Sequence, residues 1–174
     1  MLLTITALGS HDSNFIAEIL PMVGDCKCSI LEIRYSNLAQ SNAAYLLVDG
    51  NWNQIAKLET ALDSLQRRME IKIICLRPEQ KSKNIEHLPY SLETISLNKN
   101  NIIESVTLFL LDREITIEDV VGSAYQAAYV QTTVFSSKFI ILIPAQLNLL
   151  SLREEFLDFC DQLNIDAVLE PIKR

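Results

Sequence analysis

One pattern is written twice along this chain, and the repeat constrains the fold more than any single residue does. Each half opens with a short alternating apolar strand, meets a polar loop and continues into a helix-periodic stretch. Two more strands, a second helix and a last strand follow. The first copy runs from "LLTITALGSHDSNFIAEIL" to "EIKIICL" and the second from "LETISLNKNNIIESVTLFLL" to "IDAVLE". A βαββαβ unit of this kind folds two right-handed crossovers into one antiparallel sheet backed by helices on one face. The expected class is α+β: two tandem ferredoxin-like units, each a four-stranded sheet with two helices. The boundaries fall at 1–77, a polar linker at 78–89 ("PEQKSKNIEHLP") and 90–174.

Within the first copy, residues 2–8 alternate as a strand that Gly9 breaks, and 10–14 form a loop. Phe15, Ile16, Ile19, Leu20 and Val23 repeat at helical spacing, with Pro21 expected to kink or shorten the helix before Gly24 and Asp25 stop it. Strands are expected at 29–36 and 43–49, joined by "NLAQSN", and at 70–76. Asn51 with Gln54 reads as a capping box ahead of a stripe of Trp52, Ile55, Leu58, Leu62, Leu65 and Met69. In the second copy, Asn101 with Glu104 and Ser151 with Glu154 read as further capping boxes. Between the strands "ITIEDVVGSA" and "SKFIILIPA", the segment "YQAAYVQTTVF" reads either as a hairpin extension or as a protruding loop.

Charge and composition exclude several functions. The net charge is -7, divided as -2 through Gln80 and -5 beyond it. Neither half offers the basic footprint that binding a phosphate backbone requires, so direct nucleic-acid contact is not expected. The apolar runs fall well short of the ~20 residues of a membrane span. "MLLTITAL" lacks the basic start of a signal peptide, and the expected location is the cytoplasm. Cys26, Cys28, Cys75 and Cys160 read as reduced thiols in or beside a core. Cys26-Lys27-Cys28 is not a zinc-knuckle spacing, and His11 and His87 stand in unrelated places.

The loops must then decide the chemistry. An RNA-binding sheet would need stacked aromatics and basic residues on its third strand, and "AAYLLVD" and "SKFIILI" offer one aromatic each. A phosphatase loop would need an arginine clamp, and neither "GSHDSN" nor "NKNN" has one. His11 and Asp12 are sequence neighbours, which seldom aim at each other, and no motif places a nucleophile beside them. What both loops do offer is a helix N-terminus whose amides favour a carboxylate, with side-chain oxygens nearby for an ammonium. A small amino acid carries both groups; the alternative reading is that these loops simply cap their helices. The candidate ligand residues are Gly9, Ser10, His11, Asp12, Ser13 and Asn14 in the first loop. Asn98, Lys99, Asn100 and Asn101 are their counterparts in the second. No catalytic residue, cofactor or metal ligand is assigned.

The stretches "ITALGSHDSNFIAEIL", "GDCKCSILEIRYSNL" and "GNWNQIAKLETAL" resemble the glycine cleavage system transcriptional repressor family. The resemblance runs from about Leu3 to Leu38 and resumes near Gly50; the second half is similar mainly in layout, through "SLNKNNIIESVTLFL" and "FCDQLNIDAVL". It implies a cytoplasmic, non-enzymatic protein of two ACT domains. Such a protein acts on transcription by contacting a LysR-type activator, with glycine as the signal. The family's first loop typically reads Asp-Arg-Pro-Gly, where this chain has His11, Asp12, Ser13 and Asn14. The helix-starting proline and the permissive glycine are absent, although asparagine tolerates left-handed backbone better than other non-glycine residues. Beyond an amino acid and an activator, the apolar sheet faces and free edges could pair with a second copy to give a homodimer.

Overall fold

A computed structural model describes residues 1–79, 86–97, 101–127 and 132–172. The chain divides into two compact units, Met1–Ser82 and Lys83–Arg174. Unit 1 contains β1 (Leu2–Ser10), α1 (Phe15–Asp25), β2 (Ser29–Leu38), β3 (Ser41–Asp49), α2 (Trp52–Arg68) and β4 (Ile71–Leu76). Unit 2 repeats the order with β5 (His87–Ser96), α3 (Ile102–Leu111), β6 (Thr116–Gln126), β7 (Thr133–Pro144), α4 (Leu149–Leu163) and β8 (Asp166–Pro171). The sheets run β2-β3-β1-β4 and β6-β7-β5-β8, with every neighbour antiparallel. This is the expected α+β, ferredoxin-like architecture, twice.

Strand alternation builds each core. Leu3, Ile5 and Ala7 of β1 lie opposite Val48, Leu46 and Ala44 of β3, and all six are buried. Phe15, Ile19 and Val23 of α1 and Ile55, Leu58, Leu62 and Leu65 of α2 close over that face. In unit 2 the same layer is Leu92, Phe139 and Ile141 under Val106, Phe109, Leu110, Leu152 and Phe156. Full burial of such a side chain is worth roughly 1.5–3 kcal/mol, so each layer is the main stabilising term of its unit.

Several boundaries depart from the sequence expectations. β1 does not stop at Gly9: it continues to Ser10, because Gly9 and Ser10 still pair with Asn42 and Ser41. The six-residue connection expected between β2 and β3 is a tight turn at Ala39 and Gln40, with Ala39 at φ 55. α1 runs through Pro21 to Asp25, since the buried Ile19 and Val23 on either side hold it in place. It ends at Lys27 (φ 56), where Cys28 N–H donates to the Val23 carbonyl and Lys27 N–H to that of Gly24. This paired closure recurs after α3 with Glu114 (φ 57) and after α4 with Asn164 (φ 50), so three helices stop on a left-handed residue that is not glycine.

Trp52 leaves the expected stripe and is 63% exposed. Helical side chains lean toward the N-terminus, so one in the first turn projects past the end of the packed layer. The Asn51–Gln54 capping box forms as expected. The Asn101–Glu104 box does not: Asn101 is left-handed (φ 60), whereas a capping residue needs extended backbone to aim its side chain at the first turn. α4 begins earlier than expected, capped by Asn148, whose side chain accepts from Leu150 and Ser151 N–H; Ser151 instead donates to Glu155. β5 starts at His87 inside the stretch read as linker and carries Pro89. The aromatic segment of unit 2 extends both strands as far as Gln126 opposite Thr133, and residues 128–131 lie outside the described residues.

Candidate functional site

The first loop sits where β1 ends, and the β2–β3 hairpin holds it. Ser13 turns back on Ser10, with both its N–H and its hydroxyl donating to the Ser10 carbonyl at 3.0 and 2.6 Å. His11 N–H donates to the Gln40 carbonyl at 2.9 Å, and the Asn37 amide donates to His11 Nδ1 at 2.6 Å. Asn42 comes from beneath: its Nδ2 donates to the carbonyls of His11 at 3.0 Å and Ser13 at 3.5 Å. Gly9 is required for this compaction. A Cβ there would overlap Ser13 Oγ and stand 2.9 Å from Ile71 Cγ2 and 3.0 Å from Phe15 Cδ1.

Of the six first-loop candidates, Gly9 is buried under the turn and Ser13 is half-buried. Ser10, His11, Asp12 and Asn14 are exposed at the surface above them. Asn14 makes no side-chain cap, so side-chain oxygens leave the start of α1 open. A helix of 11 residues ending there presents unpaired amides and a positive dipole end toward the loop. His11 is held by Asn37 rather than by Asp12, so the neighbouring pair is not arranged as a hydrolytic couple.

Sequence reasoning missed Asn37, Gln40 and Asn42, which belong to a hairpin nearly thirty residues downstream. A signal was available for one of them. In "SNAAYLLVD" the inward phase of β3 is 42, 44, 46 and 48, and Asn42 is its polar member. A polar residue in a core phase marks a built-in hydrogen-bond requirement. Asn42 is 3% exposed, and its Oδ1 is buried with no hydrogen-bond partner.

In the second loop, Asn98, Lys99 and Asn100 lie outside the described residues; Asn101 is described and left-handed. On the strands of unit 2, Thr94 Oγ1 of β5 and Ser137 Oγ of β7 form a buried hydrogen bond of 2.6 Å. A shallow depression of about 210 Å3 opens near Ile95, Val121, Ser123 and Ser136 on the sheet of unit 2, but its charged members, Glu93 and Lys138, pair with each other at 2.6 Å.

The cysteines are free, and burial pushes the Cys75 and Cys160 thiols up to about 11. Burial, with the nearby Cys26 and Asp49, also raises the Cys28 thiol. Such thiols are poor nucleophiles at neutral pH. Among the described residues no three His, Cys, Asp or Glu side chains gather as a metal site. No described helix is long and apolar enough to cross a membrane. The geometry therefore offers a binding loop over a helix N-terminus.

Residues 1–75 match the ACT domain family. The chain is 21% identical over 170 residues to the glycine cleavage system transcriptional repressor of Escherichia coli (strain K12), covering 98% of this chain and 90% of that one. The Shigella flexneri protein of the same name matches to the same extent. Among solved structures, a candidate glycine cleavage system transcriptional repressor superposes with a TM-score of 0.72 at 22% identity, covering 99% of this chain and 98% of the other. A protein of unknown function from Galdieria sulphuraria gives 0.77 at 16% identity, with the same coverage. These structures share the tandem ACT-like fold with this chain.

Proposed function

We propose that this protein is a non-enzymatic regulator of transcription that works through protein–protein contact and senses a small amino acid, glycine foremost, at the first loop of unit 1. The observation that carries the reading is the arrangement at residues 9–14. A compact polar loop stands over an uncapped helix N-terminus, and among the described residues no three His, Cys, Asp or Glu side chains gather as a metal site. Helix amides suit the ligand's carboxylate and the loop oxygens suit its ammonium. Full-length similarity to repressors of the glycine cleavage system points to the signal, and the acidic chain to a protein rather than DNA as the contact. The partner proposed is a LysR-type activator. Ligand shifts that contact only if it binds one state of the protein better than another.

Calorimetry with glycine, serine and alanine tests the sensing. Saturable heat and a rise in melting temperature with at least one of them are expected. No heat and no shift with any of them would sink it.

A second reading has its own observation: all ten residues of β2 are exposed, including Ile30, Leu31, Ile33, Tyr35 and Leu38, along a free sheet edge. An apolar edge of this kind invites strand addition. If the protein is an interaction module without a ligand, Asp12→Ala and Asn14→Ala leave capture of the activator unchanged while Ile33→Lys abolishes it.

A further inference from the structure

The amide of Asn42 is fixed in one orientation. Its Nδ2 faces the carbonyls of His11 and Ser13, and turning the amide over would set Oδ1 against two acceptors. Oδ1 is thereby committed to the other side, where it is buried and unmatched. A buried acceptor without a donor is costly, and native folds rarely keep one without a use. Its position is informative. Asn42 lies directly opposite Gly9, whose missing side chain is bounded by Ser13 and by the ring of Phe15, the first residue of α1. The Asn42 Nδ2 also lies 3.5 Å from the carbonyl of Ser13, the residue before the Asn14 cap, so the amide stands beside the start of α1.

We infer that Asn42 is a specificity-determining residue of the first-loop site: its Oδ1 accepts a hydrogen bond from the ammonium of an α-amino acid whose carboxylate takes the α1 amides. This rests on the amino-acid reading above and adds what that reading lacked, an acceptor outside the loop that distinguishes an amino acid from a simple carboxylate. Because the oxygen is covered in this structure, ligand entry requires the turn at residues 11–14 to shift, and the bonds of His11 to the Asn37 amide and to the Gln40 carbonyl are what must give.

The test compares glycine with propionate, which replaces the ammonium by a methyl group of nearly the same size. Calorimetry on the full chain is expected to show glycine binding at least tenfold tighter than propionate. In Asn42→Leu, glycine should weaken tenfold or more while propionate changes less than threefold, so the preference collapses. An equal loss for both ligands would mean that Asn42 only supports the loop, and no loss for either would mean that its oxygen serves a structural water; each result overturns the inference. If Asn42→Leu does not fold by circular dichroism, the wild-type chain carries the test: a preference for glycine over propionate of less than threefold overturns the inference. Wild-type protein that binds no amino acid defeats the sensing proposal itself, an outcome distinct from binding that ignores residue 42.

Discussion

Five residues ahead of the first helix cap, unit 1 carries Gly9 opposite Asn42 and unit 2 carries Ser96 opposite Phe135. Two residues earlier on the strand, unit 1 has Ala7 opposite Ala44, where unit 2 has Thr94 opposite Ser137. The frame is the same and the filling is inverted. Unit 2 has in one row a hydroxyl pair that satisfies itself and in the other a half-buried phenylalanine opposite Ser96. Unit 1 keeps an alanine pair in that row and puts an amide with a spare acceptor under the loop. At these rows unit 2 pairs its hydroxyls with each other and unit 1 leaves an acceptor over beneath the loop, the unmatched buried hydroxyl of unit 2 being Ser91, further back on β5.

The largest test of the shared frame is the core. Leu46→Ala in unit 1 and Phe139→Ala in unit 2, at equivalent places, should lower stability by about 2–5 and 3–5 kcal/mol. Peptide-resolved hydrogen exchange should accelerate first in β1–β4 for one and in β5–β8 for the other. Gly9→Ala should cost about 1–3 kcal/mol by overpacking against Ser13, Ile71 and Phe15.

The caps give the next effects. Asn51→Ala and Asn148→Ala each remove a formed side-chain cap and should destabilise by ~1 kcal/mol. Asn14→Ala removes none and should be near neutral. Glu114→Gly should raise the melting temperature slightly, because a left-handed non-glycine residue carries a strain of about 1 kcal/mol. Here glycine's backbone entropy offsets part of the gain.

The smallest effect concerns the thiols. Cys75 in unit 1 and Cys160 in unit 2 are both pushed up to about 11 from 9.0, chiefly by burial. A raised folded value means the folded chain holds these protons more tightly than the unfolded chain. Their contribution is therefore complete below pH 9 and is lost as pH climbs from 9 toward 11. Urea midpoints should begin to fall in that window, and iodoacetamide at pH 8 should modify Cys160 only after denaturation.

Much of this was legible before any coordinates. Phe15, Ile19 and Val23, or Leu58, Leu62 and Leu65, declare a helix face because their spacing matches its turn, and the same holds for the inward phases of β1 and β3. The sequence pointed to Ser151 as the cap of α4, and the cap is Asn148, because the strand-to-helix path, which periodicity does not record, decides which residue of capping type precedes the first turn. Gly9 reads as a breaker in one dimension, yet its function is to let Ser13 and Phe15 approach a strand that continues past it.

The sequence by itself determined the elements, their order and the doubled βαββαβ architecture, because residue periodicity and chain order are local properties that one dimension records. It also placed the first loop at a helix N-terminus. Only the tertiary structure decided what stands beneath that loop. Sheet register brings Asn37, Gln40 and Asn42 against residues 11–13 across nearly thirty positions of chain, and pairing between distant strands leaves no local periodic trace.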